Sequence, residues 1–91
     1  MRRSMLFVPG NNPKMMTSCG FFGADAVIFD LEDAVSPGQK LAARLLVRHA
    51  IANLELNGCE VVVRINAVDT PLWKQDLAAV VPQRPSMIML P

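Results

Sequence analysis

Asp30, Glu32 and Asp33 close the apolar run Ala26-Val27-Ile28-Phe29, and Arg64 and Asn66 close a second run, Val61-Val62-Val63. Acidic oxygens in this number suit a hard divalent cation such as Mg²⁺, which binds through one or two carboxylates and keeps several waters. Arg64 offers a planar fork that stays charged and gives two parallel hydrogen bonds to a carboxylate or an enolate-like oxygen. Each group also has a plainer use. Arg64 can balance the charge of Asp30 or Glu32, and the three acids can serve helix N-terminal electrostatics and salt bridges to Lys40 or Arg44. The residues themselves leave both uses open.

The polar residues around these clusters are weaker signals. Pro9-Gly10-Asn11-Asn12 reads either as backbone N–H groups presented to an anion or as a turn, and Arg2-Arg3 either as a contact to a carrier's phosphate or as solvated charge. Met5, Met15, Met16, Met87 and Met89 read as core fillers and Trp73 as helix packing. Cys19, Cys59 and His49 fall in no zinc-ligand or disulfide spacing, which points to a reduced, cytoplasmic setting.

Chemistry at the ends of apolar runs needs elements that bring those ends together. Met5 to Val8 predicts a buried strand, stopped by Pro9-Gly10 and followed by a helix from Asn12 to about Phe22. Ala26 to Glu32 predicts a second strand. Ser36-Pro37-Gly38 opens a long helix to about Leu56, with an apolar stripe of Leu41, Leu45, Val47, Ala50, Ile51 and Leu54. Glu60 to Asn66 predicts a third strand, Pro71-Leu72-Trp73 a shorter helix carrying Leu77, Val80 and Val81, and Met87 to Leu90 a fourth strand.

The order β-α-β-α-β-α-β without hairpin signals implies parallel strands joined by crossovers, whose polar residues gather at the strands' carboxyl ends. The two-residue strand period then sets Asp30 with Glu32 on one face, and Arg64 with Asn66 on one face. If neighbours pair in sequence, all three helices cover one face of the sheet and the other is bare, which calls for further βα units or another chain. The expected fold is therefore the N-terminal portion of an incomplete (βα)8 TIM barrel, with residues 1–91 as one partial domain of three βα units plus a fourth strand. A doubly wound, flavodoxin-like sheet is the alternative.

Composition restricts the function classes. With nine Lys and Arg against eight Asp and Glu and 52% hydrophobic residues, the chain wants a core and carries no global charge for nucleic acid or an anionic membrane. The run Met5 to Val8 is too short for a signal peptide's apolar region or a membrane span.

Four separated motifs occur in order: Arg3-Ser4-Met5-Leu6-Phe7-Val8-Pro9-Gly10, Phe29-Asp30-Leu31-Glu32-Asp33-Ala34-Val35, Lys40 with Ala43-Arg44, and Val63-Arg64-Ile65-Asn66. Together with Trp73, Asp76-Leu77 and Leu90-Pro91 they resemble the citrate lyase beta subunit family, within the HpcH/HpaI aldolase-like barrels. That resemblance implies Mg²⁺-dependent cleavage of a citryl thioester, on an acyl carrier or coenzyme A, to oxaloacetate and an acetyl thioester. It implies that Arg64 is the catalytic, substrate-binding arginine and that Asp30, Glu32, Asp33 and Asn66 lie around it and the metal's waters. The metal ligands themselves are expected beyond Pro91, with none in this chain. The resemblance also implies carrier and transferase subunits as partners and a homo-oligomer. It leaves the related lyases and thioesterases of malyl or methylmalyl coenzyme A open as alternatives. Alone, the chain is expected to be inactive; a non-catalytic binding or assembly module is the competing class.

Overall fold

Alternation of β-branched runs with helix-forming stretches is what the computed structural model shows for residues 4–19, 23–54 and 58–91, the residues it describes. Strand β1 is Met5–Pro9, helix α1 Pro13–Ser18 and strand β2 Ala26–Asp30. A 3-10 turn, Pro37–Gln39, leads into helix α2, Lys40–Asn53. Strand β3 is Glu60–Arg64, helix α3 is Leu72–Val80 with a 3-10 turn at Val81–Gln83, and strand β4 is Met87–Met89.

The strands pair in parallel in the order β1-β2-β3-β4. No strand order reverses, so the doubly wound alternative is excluded. The register sets Phe7, Ile28, Val62 and Met87 in one row and Pro9, Asp30, Arg64 and Met89 in the next such row. Residues of the intervening row turn to the other face. There Val8, Phe29 and Val63 form the core with Met16, Ala43, Val47, Ala50 and Val80 from the helices. The opposite, helix-free face leaves Met5, Phe7 and Met87 exposed, so Met5 and Met87 are not core fillers.

Several expected boundaries shift for physical reasons. β2 stops at Asp30 rather than Glu32, because the chain beyond wraps back onto the Asp30 carboxylate. β3 stops at Arg64 rather than Asn66, whose backbone N–H is taken by a side chain of α3. In α2 the buried stripe is Ala43, Arg44, Val47 and Ala50, while Leu41 and Leu45 are exposed. The expected ends of the first two helices, near Phe22 and Leu56, and the Arg2-Arg3 pair lie outside the described residues.

The turn after β1 shows why it is built from Pro9-Gly10. The Gly10 N–H donates to the Asp30 carbonyl at 2.8 Å, and a Cβ on Gly10 would stand 2.7 Å from that oxygen and 3.0 Å from Val47 Cγ2. Only glycine lets the two strand ends approach this closely. Gly10→Ala should therefore lower stability by about 1–3 kcal/mol; a urea midpoint equal to that of the parent chain would contradict this packing. Asn12 accepts the Met15 N–H on its side chain and caps α1. The Gly10 and Asn12 amides, donating to the Asp30 and Pro9 carbonyls, are thus engaged in a turn.

Candidate functional site

Asp30 ends β2 as the lateral neighbour of Arg64, which ends β3, so pairing alone sets a carboxylate beside a guanidinium at the carboxyl rim. Arg64 Nε donates to Asp30 Oδ1 at 2.9 Å and Nη2 donates to Oδ2 at 2.6 Å, a two-pronged contact. Asp30 is 1% exposed and accepts two further bonds, from the Glu32 N–H at 2.9 Å and the Ala34 N–H at 3.0 Å. Both carboxylate oxygens are therefore doubly engaged. Burial pushes the Asp30 carboxyl up, but the Arg64 bond together with the two amides outweighs it and holds the group below the ordinary carboxylate range. In return, the hydrogen bond to Asp30 raises Arg64 further.

Arg64 is not used up by this contact. Its side chain remains 23% exposed, and the described hydrogen bonds take only Nε and one N–H of Nη2. Phe7, across the sheet in β1, lies with its ring centroid 5.6 Å from the guanidinium carbon. Glu32 Oε1 stands 3.9 Å from Nε with its side chain 30% exposed, and Asp33, exposed, adds to the field that keeps Arg64 charged. The result is a fixed cation with one edge clamped and the side chain still partly exposed, suited to an oxyanion or carboxylate.

The loop carrying Glu32 and Asp33 is closed by Lys40, whose Nζ donates to the carbonyls of Leu31, at 2.9 Å, and Glu32. Lys40 therefore serves main-chain oxygens, and Arg44 pairs with Asp76 at 3.0 Å, so the expected salt bridges from these two to Asp30, Glu32 or Asp33 are not what the structure holds. Asn66 also departs from the cluster: buried, it donates both its backbone N–H, at 2.9 Å, and Nδ2, at 2.7 Å, to Asp76 Oδ2. Four of the five sequence candidates thus meet at the rim, and Asn66 turns to the helix layer.

The Arg44–Asp76–Asn66 junction went unnoticed in the sequence, yet a signal exists. Asp76 lies three residues after Trp73 and four before Val80, on the apolar stripe of α3, and Arg44 lies on that of α2. Opposite charges on two buried stripes need each other.

Among the described residues no group of three or more His, Cys, Asp or Glu is placed to hold a metal ion. Mg²⁺ would also find the Asp30 oxygens occupied by four donors, which leaves Glu32 as the one partly exposed carboxylate beside Arg64. The donor set present does not fit the ion. None of the described helices is long and apolar enough to cross a membrane.

The sequence and the fold are similar to those of known proteins. Residues 3–91 match the family model HpcH/HpaI aldolase/citrate lyase. The chain is 50% identical over 91 residues to citrate lyase subunit beta of Leuconostoc mesenteroides subsp. cremoris, covering all of this chain and 30% of that protein. It is 39% identical over 92 aligned positions to the L-malyl-CoA/beta-methylmalyl-CoA lyase of Cereibacter sphaeroides, covering 98% of this chain and 29% of that one. The crystal structure of protein CitE from Mycobacterium tuberculosis with magnesium, acetoacetate and coenzyme A superposes with a TM-score of 0.80 at 36% identity, over 100% of this chain and 33% of that one. The chain thus spans about a third of the length of the relatives it matches.

Proposed function

We propose, from the premise that this chain belongs to the HpcH/HpaI aldolase/citrate lyase family, that residues 1–91 form the first part of a barrel domain in a citryl thioester lyase. The reaction breaks the bond between the hydroxyl-bearing carbon and the carbon beside the thioester. The hydroxyl proton leaves as oxaloacetate's ketone forms, and the electron pair passes to the thioester side, where a proton completes the acetyl group. The observation that carries this reading is Arg64, held by Asp30 and Phe7 at the carboxyl end of β3, with its side chain 23% exposed and Nη1 outside the Asp30 contact. The guanidinium holds a substrate carboxylate, or the oxygen on which charge builds, without reorganising at the moment of reaction. Asp30 and Phe7 orient it, while Glu32 and Asp33 keep the rim acidic. Magnesium belongs to this reading through residues beyond Pro91, and no step assigned to Arg64 passes through it. The same reading extends to a thioester on an acyl carrier or coenzyme A, to carrier and transferase subunits, and to a homo-oligomer in the cytoplasm.

The test grafts residues 1–91 onto the remaining two-thirds of the Leuconostoc subunit and measures oxaloacetate release from citryl coenzyme A. The chimera should turn over and the 91-residue chain alone should not. A well-folded chimera inactive on every thioester offered would sink the lyase reading, and turnover by the chain alone would sink its dependence on the rest. The malyl-coenzyme A lyase relative makes that thioester the necessary competitor, and its preferential cleavage would reassign the substrate. Exposed Met5, Phe7 and Met87 favour a second reading, pairing of the bare sheet face with another chain. A monodisperse 91-residue dimer alongside an inactive chimera would support it.

A further inference from the structure

We infer that Asp76 is a positioning residue, which fixes the backbone leaving Arg64 through a buried junction of α2, α3 and the end of β3. Its carboxylate is 1% exposed; Oδ1 accepts Arg44 Nε at 3.0 Å, and Oδ2 accepts both the backbone N–H and the Nδ2 of Asn66. A buried ion pair of this kind is a weak stabiliser, since apolar side chains of similar volume often replace one without loss. Stability alone therefore does not account for it. What it supplies is direction at one place in the chain.

Backbone groups of three consecutive residues, Arg64, Ile65 and Asn66, are tied to three different segments of the chain. The Arg64 carbonyl accepts the Leu31 N–H at 2.9 Å, just past β2, and the Ile65 N–H donates to the Met89 carbonyl of β4 at 3.1 Å. The Asn66 N–H then goes to Asp76 of α3. The first two ties continue the sheet's own ladder, whereas the third comes from a side chain in the helix layer and turns the chain out of the sheet. From there Ala67, Val68 and Asp69 form one wall of a rim cleft whose other wall is Leu90 and Pro91. Asp76 thus sets, from beneath the sheet, where the Arg64 backbone ends and where that wall begins. The purpose of this positioning rests on the proposed role of Arg64, but the geometry does not.

The test reads the guanidinium itself. In the 91-residue chain labelled with ¹⁵N-arginine, solvent exchange of the Arg64 Nε–H is measured for the parent and for the double variant Arg44→Met, Asp76→Leu. That variant replaces the ion pair with apolar packing and removes the acceptor for Asn66. The expected result is an unchanged or higher Tm with exchange about tenfold faster. Unchanged exchange in the folded variant would overturn the inference. Should the double variant not fold, Arg44→Gln with Asp76→Ala, which also removes the acceptor of the Asn66 backbone N–H but adds no apolar bulk, decides by the same measurement: faster exchange supports the role and unchanged exchange ends it. Because turnover is not the readout, the result stands apart from the fate of the lyase proposal.

Discussion

Arg64→Lys in the chimera is expected to cut kcat by about 10²–10³, the usual effect of losing one preorganised donor at a site of developing charge. Lysine keeps the positive charge near Asp30, so burial of that carboxylate stays compensated. It cannot, however, bind Asp30 through two parallel N–H groups and still keep a second pair of N–H donors for a substrate. Arg64→Ala goes further, because it strands a carboxylate that is 1% exposed. That variant should lose activity to a similar degree and also about 3–5 kcal/mol of stability, less whatever the Glu32 and Ala34 amides retain. Steady-state kinetics with urea unfolding separates the two effects. Arg64→Lys with kcat near that of the parent chimera would take Arg64 out of the proposed site, whatever happens to stability.

What the sequence made legible follows from how local each signal is. The runs through Val27-Ile28-Phe29 and Val61-Val62-Val63 are strands, the first buried throughout and the second at Val62 and Val63, and the alternation of elements is realised as four parallel strands in sequential order. The meeting of Asp30 with Arg64 was also within reach, because both residues close apolar runs and a parallel sheet aligns those ends. Register was not: that Asp30 faces Arg64 directly, while Glu32 falls beyond the last ladder position, depends on where pairing stops. Asn66 illustrates the same limit, since period two assigns it to the face of Arg64, but the strand ends first and Asp76 takes its N–H. Leu41 and Leu45 misled for another reason. Hydrophobicity marks which side chains gain from burial, and α2 instead buries Ala43, Val47 and Ala50 with Arg44, because small residues let the helix lie close to the sheet and Asp76 needs a cation.

Asp30 should also give the protein an acid-labile joint, and the sign follows from its environment. The folded carboxyl lies below the ordinary aspartate value, with burial opposing and the Arg64 and amide hydrogen bonds prevailing. A group whose folded pKa is depressed contributes stability above the unfolded value, and that contribution disappears as pH falls through the folded value. In the 91-residue chain, Asp30→Asn should therefore be markedly less stable than the parent near neutral pH. It loses the charge that meets Arg64, and its amide NH₂ faces donors at whichever oxygen it replaces; the cost should be about 3–5 kcal/mol. As pH drops below about 4, the unfolded chain's Asp30 takes up its proton first, and the parent alone progressively forfeits this contribution until the pH has fallen through the lower folded value. The two stability curves should accordingly converge in acid, with the steeper fall on the parent's side. Urea midpoints from neutral pH down to the acid limit test this, and parallel curves would show that Asp30 is not the titrating clamp of Arg64. Convergence would locate in one ion pair both the acid sensitivity of the strand ends and the fixed orientation that the proposed chemistry needs.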